Sequence, residues 1–512
     1  MPASMRTAGL TVGRGRRVAA FLEPLLRTPT LVVAGTLLAT FALYFPTLND
    51  WFQTDDFLLL SGAQDLPFTT YAREAFDFRD FEPLHLYTYR PLHFATMDVM
   101  HAAFGLQATP YHAVSVALHV LNVLLVWRIA RQLSGSDAVA HGTAAIFGLH
   151  PAYTQTVAWV AANNSVIATT GQLVAFLAFL QFVRNSSRTW YLASVVVYGA
   201  AILVHQEVFL LPAVFGAYLV FVQYGNLRDA LRPAVVTLLP YSLVLGIFLA
   251  IQRWNARESV LNDHFVLNLG TLGKHTGVVA MSVYPSQLSG FHATHALAAS
   301  LFAVAVLGGL LLARRNGKVI VLCIIWYHAS LVLSELYFVN TPAIPYLGRK
   351  LYPAGPALAL AIALVAESYW EALKPRLASV APYLLVLVGV ALALAFVRAG
   401  ELRDRLEPAA ERSQLFVDDL RAAYPELFEG DTLYVARAPF SCGLLICYTR
   451  DVVSLYYDEV DVSVISVAQA QDPAFLAALG PDDHVFCWRC PAPGASGNAA
   501  PPTQARPQTS RR

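Results

Sequence analysis

Two adjacent carboxylates, Asp55 and Asp56, stand among aromatics in Trp51-Phe52-Gln53-Thr54-Asp55-Asp56-Phe57, just beyond a long apolar run. Acids at a membrane surface carry a desolvation cost that asks for a purpose. One of the pair could deprotonate an acceptor hydroxyl as general base, while the other orients it or binds a divalent cation. A helix N-cap with favourable charge in the first turn explains the same residues. On sequence both readings stand.

Cations recur at two places. In Tyr89-Arg90-Pro91-Leu92-His93 the guanidinium of Arg90 could grip a phosphate bidentately, or snorkel to lipid headgroups as an interfacial anchor. In Leu347-Gly348-Arg349-Lys350-Leu351-Tyr352-Pro353 two cations fall where the topology derived below disfavours positive charge. A lipid-borne phosphate at the outer leaflet is the most economical reason for Arg349 and Lys350, ahead of headgroup anchoring. Lys274 and His275 are weaker candidates of the same kind.

Two further polar sites interrupt apolar runs. His150 precedes Pro151, and a proline frees backbone groups that are tolerated at membrane depth only where they line a cavity. His150 is thus either a hydrogen-bond donor to a substrate or a satisfied core histidine. His205-Gln206-Glu207 is either a tight polar turn or a place where Glu207 faces the same cavity.

The elements that must position these groups follow from composition. Of 512 residues, 56% are hydrophobic and 13% charged, against roughly 25% charged in a soluble domain. Lipid must therefore cover much of the surface. About eleven apolar runs approach the roughly 17–25 residues that cross a hydrocarbon core. They lie near 30–48, 111–131, 139–158, 165–183, 189–204, 207–224, 233–251, 296–313, 319–338, 352–371 and 380–397. The first, preceded by Arg14, Arg16, Arg17 and Arg27 and lacking a small-residue cleavage site, reads as a permanent anchor rather than a signal peptide.

Loop charge sets orientation. Alternate connections carry Arg128 and Arg131, Arg184 and Arg188, Arg228 and Arg232, Arg314 with Arg315 and Lys318, then Lys374 and Arg376. With the basic N-terminus these read as cytoplasmic, which puts the acidic loop 49–110, the loop 252–295 and the C-terminal region on the other face. Four of five cysteines (Cys442, Cys447, Cys487, Cys490) fall in that C-terminal region. Two disulfides are favoured there over a four-cysteine zinc site.

The expected organisation is a cytoplasmic basic tail (1–29), an all-α polytopic membrane domain (30–399), a small exported α/β domain (400–490) and a disordered tail (491–512). Strands are expected at 432–437, 452–457, 462–467 and 484–488. There is no Walker-type glycine loop, no Gly-x-Ser-x-Gly and no His-Glu-x-x-His. Nucleotide hydrolysis and the common hydrolase chemistries are without support, and no nucleic-acid partner is expected.

The order of short motifs is more specific than any one of them. A first apolar helix and acidic-pair loop come first, then Tyr89-Arg90-Pro91, then a helix bearing His119 and Asn122. His150-Pro151 with nearby Trp159, the turn ending in Glu207, and Arg349-Lys350-Leu351-Tyr352-Pro353 follow. This order resembles the GT-C superfamily of polytopic glycosyltransferases, especially its protein O-mannosyltransferase-like branch and the transmembrane O-mannosyltransferases with tetratricopeptide repeats. The resemblance spans about 30–370 and is strongest over 49–212.

It implies a GT-C-like membrane domain and inverting, metal-independent transfer of a sugar from a polyprenyl-phosphate carrier to a protein or lipid acceptor, outside the cytoplasm. It implies Asp55 or Asp56 as base and Arg90, Arg349 and Lys350 as phosphate contacts, with His93, His150, Glu207 and Tyr352 lining the site. No cofactor is implied, and a divalent cation beside Asp55 and Asp56 is the one the acidic pair itself suggests. Two features depart from the family: a turn that commonly reads Ser-Lys-Glu is His205-Gln206-Glu207, and a cysteine-bearing region stands in place of the repeats. The Ala- and Arg-rich composition points to a bacterial inner membrane. A flippase for a lipid-linked intermediate, or a catalytically silent scaffold of a cell-envelope complex, are the rival readings.

Overall fold

The computed structural model describes residues 30–64, 70, 76, 89–255, 293–313, 316–337, 350–377, 381–440 and 448–491. The expected tails, most of the loop 252–295, and Arg349, Lys274, His275, Cys442 and Cys447 lie outside the described residues. The chain divides into two compact units: residues 1–51 with 62–408, and residues 52–61 with 409–512.

The long helices, in chain order, are α1 (Thr30–Tyr44), α2 (Asp55–Gln64), α3 (Pro91–Phe104), α4 (Ala108–Ser134), α5 (Asp137–Gly148), α6 (Asn163–Asn185), α7 (Arg188–Val204), α8 (Leu227–Asn255), α9 (Ala293–Leu312), α10 (Gly317–Tyr337), α11 (Gly355–Leu377), α12 (Ala381–Asp404) and α13 (Glu407–Ala423). Six described segments are long and apolar enough to cross a membrane: Thr30–Asn49, Ala108–Ser134, Val160–Asn185, Gln206–Tyr224, Leu227–Gln252 and Tyr352–Arg376. Shorter apolar helices run over Arg188–Val204, Ser300–Leu312 and Gly317–Leu331.

Local chemistry sets the breaks. Gly135 takes the left-handed conformation (φ 69°) that closes α4. The Ser136 hydroxyl then accepts the Val139 amide at 3.3 Å to start α5. The continuous span expected over 139–158 is interrupted: α5 stops at Gly148, and short helical turns follow at Pro151–Tyr153, Thr154–Ala158 and Val160–Ala162. Pro151 has no N–H to continue the helical ladder. The His150 ring supplies a cap instead, its Nδ1 accepting the Ala152 amide at 3.2 Å.

The first unit packs around aromatics. Phe179 stacks on Phe215 at 4.2 Å, Phe176 meets Trp326 edge-on at 5.0 Å, and Phe215 meets Tyr241 edge-on at 5.2 Å. Helices α6 and α7 approach closely because Gly171 faces Ala201, where an added Cβ would stand 2.6 Å from the alanine Cβ. Small residues of this kind are how membrane helices pack tightly. Leu231, Val235, Leu239 and Leu243 of α8, and Val386, Leu387 and Leu394 of α12, are instead exposed. Such rows belong against lipid.

The second unit holds a three-stranded parallel sheet, order β2-β1-β3, made of β1 (Thr432–Ala436), β2 (Asp461–Ile465) and β3 (Asp483–Cys487). Leu433 pairs with Val462 on one side and His484 on the other. Phe416 of α13 packs edge-on against Phe440, Phe486 and Trp488. The strand expected at 452–457 is not formed. Helix α14 (Tyr448–Ser454) occupies that stretch and buries Val452 and Val453. Cys487 and Cys490 form a disulfide, so the pair with zinc-ligand spacing is joined covalently. Among the described residues, no group of three or more His, Cys, Asp or Glu side chains could hold a metal ion.

Candidate active site

The turn between α7 and the next span gathers several ionic groups of the first unit. His205 ends α7 in an extended conformation, and one helical turn, Gln206–Val208, follows. This fold drives the Glu207 carboxylate inward, where its side chain has 0% exposure. Lys350 Nζ lies 3.3 Å from Glu207 Oε1. The Ser165 hydroxyl, two residues into α6, donates to Oε2 at 3.2 Å. His205 Nδ1 lies 3.3 Å from Oε2 and accepts the Glu207 amide at the same distance. Arg90, just ahead of α3, donates from Nε to Gln206 Oε1 at 3.0 Å. Chain segments 116 and 42 residues away in sequence thus converge on two consecutive residues, Gln206 and Glu207.

A buried charge in low dielectric survives only when paired and hydrogen-bonded. Glu207 meets that condition through Lys350 and Ser165. The turn therefore carries two fixed cations around one buried anion, an arrangement suited to receiving a further negative charge.

Two residues beyond Lys350, Tyr352 enters a second, neutral cluster. Its hydroxyl lies 2.7 Å from His119 Nδ1 and accepts from Asn122 Nδ2 at 3.1 Å. Tyr153 meets Tyr352 edge-on at 5.4 Å, and His150 stacks on Tyr153 at 4.7 Å. Gly355 packs against Tyr153 so closely that a Cβ there would collide with the phenol. Gln172 donates to the Pro353 carbonyl at 3.1 Å, tying the start of α11 to α6.

Among the expected site residues, Arg90, Glu207, Lys350 and Tyr352 are linked through these contacts, and His150 joins through Tyr153. His93 is buried in the first turn of α3, its ring against Phe94. Burial, reinforced by the nearby Arg90 charge, pushes the His93 imidazole down to about 3, so it is neutral at ordinary pH. Asp55 and Asp56 fall in the second unit. Asp56 is fully buried in the first turn of α2, and its Oδ2 accepts the amide of Gln53, ahead of the helix, at 2.9 Å, so it braces the turn into α2 rather than standing at the N-cap. Asp55 is only partly buried, and the Tyr448 hydroxyl donates to its Oδ1.

Sequence reasoning gave no role to Ser165, Gln206 or Tyr448. Ser165 and Gln206 sat beside residues that were singled out, but nothing in a single sequence announces a partner so distant. His119 and Asn122 stand out in the sequence only through the motif order.

Residues 88–254, which include Arg90, His119, Asn122, His150, Ser165, His205, Gln206 and Glu207, match the family described as dolichyl-phosphate-mannose-protein mannosyltransferase. The chain resembles the GT-C membrane glycosyltransferases. Protein O-mannosyl-transferase TMTC2 of Mus musculus is 29% identical over 219 residues, 41% of this chain and 26% of that protein. Protein O-mannosyl-transferase Tmtc1 of Drosophila melanogaster is 30% identical over 166 residues, 31% of this chain and 19% of that protein. The matched stretch thus spans about a quarter or less of these relatives' length. In fold, the chain is similar to the Archaeoglobus fulgidus oligosaccharyltransferase solved with a tethered acceptor peptide. The TM-score is 0.51 and the identity 12%, with 86% of this chain and 64% of that one covered.

Proposed function

We propose that this protein is an inverting glycosyltransferase, moving a sugar from a polyprenyl-phosphate carrier to a protein or lipid hydroxyl on the non-cytoplasmic face. The observation that carries the reading is the convergence of Arg90 and Lys350 on the Gln206–Glu207 turn, which lies in the segment matching a dolichyl-phosphate-mannose-dependent family. In that reaction the acceptor oxygen attacks the anomeric carbon, the sugar–phosphate bond breaks, and the phosphate leaves with the electron pair. The protein need only hold the leaving anion and activate a hydroxyl.

Arg90 and Lys350 hold the carrier phosphate, with Arg349 their companion by sequence position. Glu207 fixes Lys350 in place, and Tyr352 and His150 line the sugar side. Asp55 takes the acceptor proton, and Asp56 holds the turn that presents it. The donor family in the match and the two lipid-facing helical rows support a carrier that arrives within the bilayer. The step needs no metal, since the two cations supply the charge that an ion would.

The test is transfer in membranes supplied with radiolabelled polyprenyl-phosphate mannose, comparing wild type with Asp55→Asn and Arg90→Ala. Loss in both variants at unchanged expression supports the assignment. Wild-type transfer in Asp55→Asn would remove the aspartate as base, and wild-type transfer in Arg90→Ala would remove the phosphate site. Wild-type membranes that transfer neither mannose nor another polyprenyl-phosphate sugar would refute the enzymatic reading.

A further inference from the structure

Asp55 opens α2 in the first expected exported loop, yet the residues 52–61 form one compact unit with residues 409–512. Two side-chain contacts contribute to that union. Phe57, fully buried, meets Phe440 edge-on at 5.3 Å, and Phe440 in turn packs on Phe416 of α13 at 5.2 Å. Two residues before Phe57, Asp55 Oδ1 accepts the hydroxyl proton of Tyr448, the first residue of α14. The aromatic contact anchors the acidic turn, and the phenol fixes the orientation of one particular carboxylate.

The two aspartates are therefore not equivalent. Asp56 is fully buried and its Oδ2 serves the Gln53 amide, so its carboxylate is committed to the turn. Thr54, between Gln53 and Asp55, holds a positive φ of 44°, a conformation a threonine adopts only when its surroundings require it. Asp55 remains partly exposed, and its hydrogen-bond donor comes from 393 residues further along the chain.

We propose that Tyr448 is a positioning residue for transfer: its hydroxyl, by holding Oδ1, sets the plane of the Asp55 carboxylate and hence the direction in which that group takes the acceptor proton. The inference rests on the reading of Asp55 as base given above. It also gives the C-terminal region a mechanical part in the reaction. A carboxylate on an exposed loop samples several rotamers, whereas one with an oxygen pinned by a phenol presents a single orientation. Misorientation of this kind weakens the transition state without weakening the ground-state grip on the donor, because the donor phosphate is held elsewhere.

The experiment uses the full-length protein reconstituted in lipid, with polyprenyl-phosphate mannose as donor, and compares Tyr448→Phe, Asp55→Asn and the double variant. Tyr448→Phe keeps the ring and deletes only the hydroxyl. It should lower kcat by about 10- to 100-fold, with the donor KM within about twofold of wild type and thermal unfolding unchanged. The double variant should transfer no more slowly than Asp55→Asn alone, because Tyr448 acts through Asp55. Wild-type kcat in Tyr448→Phe beside an inactive Asp55→Asn would overturn the positioning role and leave the base intact. Further slowing in the double variant would likewise overturn it. Wild-type transfer in Asp55→Asn would instead strike the base assignment itself.

Discussion

The Glu207–Lys350 pair separates what the site needs to fold from what it needs to react. Lys350→Met keeps the length and apolar stem of the side chain and removes only the charge. It leaves Glu207, with 0% side-chain exposure, without its ammonium at 3.3 Å. Stranding a buried carboxylate costs about 3–5 kcal/mol, more than the pair itself contributes, since the desolvation of Glu207 is no longer offset. Ser165 and His205 at 3.2 and 3.3 Å blunt this only in part. Thermal unfolding of the purified protein in detergent should therefore fall sharply in Lys350→Met. Adding Glu207→Leu removes the stranded anion and should restore most of the loss, leaving about 1–2 kcal/mol for the Ser165 hydroxyl that loses its acceptor. Transfer should not follow stability. A charge-assisted contact to phosphate contributes about 1.5–3 kcal/mol, so the stable double variant should remain about 10- to 100-fold low in kcat/KM for the polyprenyl-phosphate donor. A double variant with both stability and transfer restored would refute the assignment of Lys350 to phosphate. A single variant as stable as wild type would refute the electrostatic argument from which the test began.

Arg90→Lys keeps a charge but loses the fork that reaches Gln206; the donor KM should rise about tenfold in steady-state transfer assays while unfolding is little changed. Tyr352→Phe removes the hydroxyl shared by His119 and Asn122, and the stranded polar atoms should cost about 1–3 kcal/mol in a denaturation experiment. Asp50 is pushed up to about 6, chiefly by burial and then by the Glu407 carboxylate, with Arg403 opposing. Folding therefore favours its protonated form: the stability it contributes is complete below its ordinary value of 3.8 and is lost as pH rises through about 6. Asp50→Asn should flatten stability against pH between those limits, by about 1 kcal/mol once solvent screening of this half-buried group is discounted, as read by thermal unfolding across a pH series.

Runs such as Ala108–Ser134 and Leu227–Gln252 were plain in the sequence because some twenty apolar residues leave little alternative in lipid. The region 139–158 was not, because apolarity alone does not reveal that α5 ends at Gly148 and that the chain proceeds in short turns around Pro151. The stretch 452–457 misled for another reason. Val452, Val453, Tyr456 and Tyr457 are good strand formers, and over six residues an apolar run does not distinguish strand from buried helix. Arg90, Glu207 and Lys350 stood out because charge at the membrane is expensive. Their partners did not, since serine and glutamine at such places are cheap and common. Tyr448 carries no local signal at all; only the folded chain brings it to Asp55.

The charge count at the Gln206–Glu207 turn has a further meaning on the proposed reaction. A polyprenyl-phosphate sugar is a phosphodiester with one negative charge. The departing polyprenyl phosphate is a monoester whose charge at neutral pH lies between one and two. At the turn Arg90 and Lys350 bring positive charge, and the Glu207 carboxylate offsets part of it. On the proposed reaction such a site becomes increasingly favourable as the sugar–phosphate bond lengthens and charge accumulates on phosphate. That is stabilisation realised in the transition state rather than spent on binding the donor. Without Glu207 the two cations would grip donor and product alike more strongly, and release of the spent carrier would slow. The buried carboxylate pairs with Lys350, and on the proposed reaction it would also keep the phosphate site from holding what it must let go.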